Sequence, residues 1–308
     1  MRIVFMGNPV FAIESLEAIY KSNYDLIAVA SNPPKSMGRH KQLLHTEVGN
    51  YAIKNNLNHI AIDDVKSDEF RERLEKLNPD IFVVVAYKIL PDWVIRIPSY
   101  GAINLHPSLL PEFRGAAPIQ WALMNGKKIT GVSIFQIAEK VDSGDILNQK
   151  EIPIFPNDNY LSLSKRLSKI GANMIIKTLN DLDSGKTLIK PQDLSNVSFA
   201  PKISKKLTFI DWSWTSEKIH NWVRGLAPKP GMRTIIQNKQ IRIFSTSIHK
   251  KSYKSKPGTI IFLTENKLQV STGKGSLSII DIQLEGKKRM TIEKFLRGFN
   301  VELGDSLG

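Results

Sequence analysis

The 308-residue chain contains no cysteine, so disulfides and thiolate metal sites are excluded, and a cytoplasmic protein is expected. It also lacks a long apolar run. A membrane helix needs roughly 20 predominantly apolar residues, whereas the longest run here, Ile81 to Ala86, suits a buried strand. No signal peptide is expected, because Met1 to Met6 passes directly into a strand–turn–helix pattern. Apart from His106, the histidines (His40, His45, His59, His220 and His249) show no ligand spacing, and no metal is expected. The fingerprint G-x-G-x-x-G is missing after the first apolar segment, which argues against a dinucleotide enzyme. There is no internal repeat. Acidic residues are the remaining shortage: 29 Asp and Glu against 43 Lys and Arg leave a net charge of +14. The imbalance is uneven. Residues 207–308 hold 17 Lys and Arg against 8 Asp and Glu, and residues 1–206 hold 26 against 21. A charge so placed favours a polyanionic partner, nucleic acid above all, over a merely solvated surface.

What is present alternates. Ile3 to Met6 reads as a buried strand, Phe11 to Tyr20 as an amphipathic helix and Leu26 to Ser31 as a second strand. Helix from Leu43 to Lys54, strand from His59 to Ile62 and a helix capped by Ser67 and ending near Leu77 continue the pattern. Ile81 to Ala86, continuously apolar, fits a central strand covered on both faces. The spacing predicts an α/β, Rossmann-like doubly wound sheet over residues 1–189. A polar stretch, 190–206, reads as a linker. Residues 207–308 then show about five short alternating segments, the size of a small OB-like β-barrel, with a terminal helix from Met290 to Phe299.

The most informative stretch is YGAINLHPSLLPEFRGAAPIQ, residues 100–120. Ala102 to His106 reads as a strand, and residues two apart on a strand share a face, so Asn104 and His106 project together near its carboxyl end. Ligands of open α/β sheets bind at that edge. Two such polar residues are also common as satisfied structural groups. Pro107 and Pro111 hold Ser108, Leu109 and Leu110 in an extended turn. Later, Val141 to Asp145 (VDSGD) places Asp142 where it can face the histidine, with Gly144 permitting a tight turn; an Asp before Ser-Gly is equally a turn former. The irregular stretch NPPKSMGRHKQ, residues 32–42, carries Lys35, Arg39 and Lys41 and reads either as a solvated excursion or as a basic finger beside the site.

The block INLHPSLLPEFRGAAPIQ together with VDSGD resembles the signature of the enzymes that transfer formyl from 10-formyltetrahydrofolate. The resemblance runs from FMGNPVF at 5–11 to GKKRMTIEKFLRGF at 286–299, and RGAAPIQ and GKKRM are similar to the members acting on methionyl-tRNA. It implies formyl transfer to initiator methionyl-tRNA by a monomer with no membrane association. It further implies Asn104, His106 and Asp142 as the catalytic trio, Ser108, Leu109, Leu110 and Pro111 as the folate-pocket turn, and Arg39 and Lys41 as the loop entering the tRNA acceptor arm. Relatives with the same trio formylate amino sugar nucleotides or hydrolyse formyltetrahydrofolate, and a non-catalytic nucleic-acid-binding module is a further class. Three departures stand out: Lys88 directly follows Tyr87 where the family usually has glycine, the basic loop is poorer in lysine, and His106-Pro107 replaces the commoner His-Gly.

Overall fold

The first strand, β1 (Arg2–Gly7), buries every residue after Arg2, as its unbroken apolar text requires. In the computed structural model, which describes residues 1–37 and 42–308, it is followed by α1 (Ile13–Tyr20), β2 (Asp25–Ser31), the short pair β3 (Lys35–Met37) and β4 (Gln42–Leu44), and α2 (Glu47–Lys54). Next come β5 (His59–Ala61), α3 (Asp68–Leu77), β6 (Ile81–Val85), α4 (Asp92–Ile95) and β7 (Ala102–His106). The Ser67 hydroxyl accepts from Phe70 N at the start of α3, as the sequence predicts. Asn78, at φ 45°, ends that helix in the left-handed conformation that asparagine tolerates. α5 (Pro118–Met124), β8 (Ile129–Gln136), β9 (Ile146–Pro153) and α6 (Tyr160–Asp183) complete this part of the chain.

Two units emerge. The first comprises residues 1–118, 129–153 and 164–200; the second comprises residues 119–128, 154–163 and 201–308. The sheet of the first unit has the order β5-β2-β1-β6-β7-β8-β9. β5, β2, β1, β6 and β7 are parallel, whereas β8 and β9 run antiparallel at one edge. The direction of these last two follows from pairings that local patterning does not encode. β6 is fully buried and lies between β1 and β7. Alternate residues divide between the two faces. Val4, Met6, Phe82, Val84 and Ala102 join one apolar cluster with Phe70 and Leu74 of α3. On the opposite face Leu105 lies so close to α6 that a Cβ on Gly171 would come within 2.3 Å of its side chain. Asn104 and His106 share the parity of Ala102, so the face turned away from α6 is theirs. Lys190 exchanges both backbone hydrogen bonds with Ile146, at 2.8 and 2.9 Å, and Arg114 bridges to Phe199.

The second unit contains α7 (Ser216–Leu226), β10 (Met232–Ile236), β11 (Lys239–His249), β12 (Ile260–Thr264), β13 (Lys267–Ser271), β14 (Ser276–Leu284), β15 (Met290–Thr291) and α8 (Ile292–Gly298). Its strands form one antiparallel sheet, β10-β11-β14-β13-β12, with β15 on β14. The two outer strands are joined by the tail. Gly304 N and Leu307 N donate to the carbonyls of Ile260 and Gly258 at 2.9 and 2.8 Å, and Gly308 N donates to Ile235 O at 3.0 Å. Residues 304–308 thus link β12 to β10 and close the sheet on itself. The tryptophans serve the core: Trp212 and Trp222 are buried, and Trp212 Nε1 donates to Thr234 Oγ1 at 3.0 Å. Among the described residues no helix is long and apolar enough to cross a membrane.

Candidate active site

β7 ends in two functional groups that differ in exposure. His106 is buried, 5% exposed, and Asn104 is half-buried. Among the described residues the Asn104 amide has no hydrogen-bond partner, so both its N–H groups are available to an incoming ligand. The imidazole is fixed. Its Nε2 lies 2.9 Å from the carbonyl oxygen of Phe113, and a carbonyl only accepts, so Nε2 carries a proton. Its Nδ1 lies 3.6 Å from Asp142 Oδ2. That is ion-pair distance and too long for a hydrogen bond. The same Asp142 oxygen accepts from Gly115 N at 2.7 Å. Both ring nitrogens therefore face acceptor oxygens. Phe135 packs edge-on against it, with ring centroids 6.5 Å apart.

The turn after β7 is held from below. Ser108 Oγ donates to Glu112 O at 2.6 Å. Leu110 N donates to Ser133 Oγ at 3.0 Å, and Ser133 Oγ donates to Ser108 O at 2.7 Å. Gln149 Nε2 reaches both Leu110 O and Ser133 Oγ. Ser108 and Leu110 are buried, whereas Leu109 and Pro111 are half-buried. Sequence reasoning passed over Ser133 and Gln149. A serine within the apolar strand ITGVSIFQ was the available signal, since buried polar groups are normally paired. Gln149, on the polar side of β9, left none.

Three non-glycine residues at this edge adopt left-handed backbones: Ala86 at φ 51°, Phe113 at 59° and Asp142 at 52°. Such conformations cost free energy and cluster at functional sites. In VDSGD it is Asp142 that takes the unusual dihedral. Gly144 permits the turn to be tight by lacking a Cβ, which would lie 1.7 Å from Gln136 O. At the end of β6, burial pushes the Tyr87 hydroxyl up to about 12, and that buried oxygen has no hydrogen-bond partner.

Arg39 and Lys41 lie outside the described residues. The flanking strands do not: β3 and β4 pair antiparallel, Lys35 opposite Leu44 and Met37 opposite Gln42. In the second unit Lys250, Lys251, Lys254 and Lys256 are exposed.

Comparison with known proteins decides the family. The formyl transferase family model matches residues 1–179, and that of the formyl transferase C-terminal domain matches residues 202–300. The methionyl-tRNA formyltransferase of Syntrophus aciditrophicus is 40% identical over 307 residues, covering 99% of this chain and 98% of that protein. The chain belongs to the methionyl-tRNA formyltransferase family. A second member, from Thermodesulfovibrio yellowstonii, is 41% identical over 303 residues, covering 98% of this chain and 97% of that protein. Among solved structures, an N-formyltransferase of Helicobacter canadensis in complex with folinic acid and dTDP-3-aminofucose superposes with a TM-score of 0.68. It is 19% identical and covers 94% of this chain and 99% of that one, a likeness of fold. The site residues described above lie on strand ends and turns within the matched residues 1–179.

Proposed function

We propose that this chain transfers the formyl group of 10-formyltetrahydrofolate to the α-amino group of initiator methionyl-tRNA, supplying the formylated initiator for translation. The observation that carries this reading is the convergence of Asn104, His106 and Asp142 at one sheet edge, in a chain alike over its whole length to relatives of that name.

The reaction is an acyl transfer. A neutral amine adds to the formamide carbon, the carbonyl oxygen becomes an oxyanion, and the folate nitrogen leaves with a proton; no covalent enzyme intermediate is required. The free Asn104 amide donates to the oxyanion, a type of contact worth about 3–4 kcal/mol in acyl-transfer enzymes. His106 supplies the second donor. Since Nε2 is taken by the Phe113 carbonyl, that role falls to Nδ1, on the side of Asp142. Asp142 stabilises the charged ring and accepts the proton that the amine must lose on its way to the leaving nitrogen. Leu109 and Pro111 present the turn's accessible surface to the pterin, while Ser108 and Leu110 hold its shape. On this reading the first unit, which runs to residue 200, carries the chemistry, and the basic 207–308 track the tRNA backbone. Arg39 and Lys41 enter the acceptor arm. The enzyme acts as a cytoplasmic monomer without membrane association.

The test is formyl transfer from 10-formyltetrahydrofolate in parallel reactions with initiator methionyl-tRNA, with an amino sugar nucleotide, and with no acceptor. Formylation confined to methionyl-tRNA is expected. Formyl on the sugar, or formate in the acceptor-free reaction, overturns the reading in favour of another acceptor.

A further inference from the structure

Gln192 lies at the centre of the site's support although it is remote from it in sequence. Its side chain is 9% exposed and makes four hydrogen bonds. Oε1 accepts from Arg114 Nε at 3.1 Å and from Arg114 Nη2 at 2.7 Å. Nε2 donates to Asp142 O at 2.9 Å and to Gly144 O at 2.7 Å. The amide orientation is forced. A guanidinium only donates and the two carbonyls only accept, so the reversed amide would face donor with donor and oxygen with oxygen. Every hydrogen-bonding position of the amide is used.

The two partners of Gln192 belong to the two halves of the site. Arg114 follows Phe113, whose carbonyl accepts from the His106 ring, and precedes Gly115, whose N–H holds Asp142. The carbonyls of Asp142 and Gly144 belong to the turn that carries the carboxylate. The same segment grips the first half again, since Ser198 Oγ accepts from Phe113 N at 2.9 Å and Ser198 O from Arg114 N at 2.9 Å. Both Phe113 and Asp142 hold left-handed backbones, and such strained conformations persist only where their surroundings over-determine them.

We propose that Gln192 is a positioning residue for formyl transfer, fixing the separation of the Phe113–Gly115 loop from the Asp142–Gly144 turn and thereby the placement of Asp142 against His106. It touches no substrate. The inference rests on the function proposed above, and hydrogen exchange tests it without reference to activity.

Two variants are made in the full chain. Gln192→Ala removes the link. Gln192→Glu keeps the size and the Arg114 contact but turns an oxygen toward the carbonyls of Asp142 and Gly144, which restores a donor only when the glutamate is protonated. For Gln192→Ala the expected result is faster amide exchange at Gly115 and a kcat lower by about 10- to 100-fold, the scale of an ångström-sized misplacement. KM for folate and for methionyl-tRNA stays within twofold. For Gln192→Glu the activity relative to wild type rises as pH falls. Unchanged exchange at Gly115 overturns the proposal whether or not the wild type transfers formyl. With active wild type, an unchanged kcat, or a loss confined to KM, overturns it equally. A wild type inactive with methionyl-tRNA but with exchange at Gly115 accelerated in Gln192→Ala keeps the positioning role and overturns the functional reading alone.

Discussion

Replacing Gly144 by alanine tests whether the Asp142 turn is set by close approach. The added Cβ would lie 1.7 Å from Gln136 O, where a real Cβ needs about 3.0 Å, and the obstacle is backbone. The turn must therefore retreat by about 1.3 Å, because β8, which carries Gln136, is held by pairing to β7 and β9. Asp142 lies two residues away and moves with the turn. Its 2.7 Å bond from Gly115 N would open to as much as about 4.0 Å, beyond hydrogen-bond reach. Displacement on that scale costs about 10²-fold in rate, or roughly 2.7 kcal/mol on the barrier. Overpacking adds about 1–3 kcal/mol of lost stability. The assay is single-turnover formylation of methionyl-tRNA beside thermal unfolding, with circular dichroism to confirm a folded variant. A kcat within twofold of wild type with an unchanged melting temperature would refute the steric account.

Four further outcomes are expected. Asn104→Ala should lower kcat by about 10²–10³-fold while leaving thermal stability unchanged; a near-normal rate removes the amide from the mechanism. Arg39→Ala combined with Lys41→Ala should weaken tRNA binding and flatten its dependence on salt, by close to one unit of log–log slope for each phosphate no longer neutralised; an unaltered slope leaves the pair as solvated surface. Burial, and in second place the Arg224 charge, hold the His220 imidazole below its usual range. The unfolded chain therefore takes up the proton first, so His220 contributes stability that is fully present above the ordinary histidine pKa of about 6.5 and is lost as pH falls below it through the lower folded-state value. Burial lowers His59 with the same sign. Urea midpoints taken at descending pH should fall, and less so in His220→Gln; parallel curves would show that the ring carries none of the effect. Deleting residues 304–308 removes the hydrogen bonds from the tail to β10 and β12 and should lower the melting temperature of residues 201–308; an unchanged transition would mean the sheet needs no closure.

Much of the molecule was legible locally. The uninterrupted apolar text of β1 and β6 and the Ser67 cap each state a preference that the packed structure keeps, because burial on both faces and capping are properties of neighbouring residues. The parity of Asn104 and His106 is of the same kind, since a strand sends residues two apart to one face. Less local features were hidden. The reversed direction of β8 and β9 against the parallel strands, and the tail between β10 and β12, depend on partners far along the chain. The dihedral strain sits on Asp142, and the glycine serves an approach to Gln136 that only the folded sheet creates.

The sequence by itself determined the α/β alternation, the strand-end pair Asn104 and His106, the family signature and the surplus of cations in residues 207–308, all of which are carried by residue type and spacing. Tertiary structure alone decided that Asp142 reaches His106 at 3.6 Å, that Phe113 fixes the ring's Nε2, and that Gln192 ties their two loops together. These are distances between groups up to about 80 residues apart along the chain, and they arise only when buried polar atoms must find partners within the packed fold.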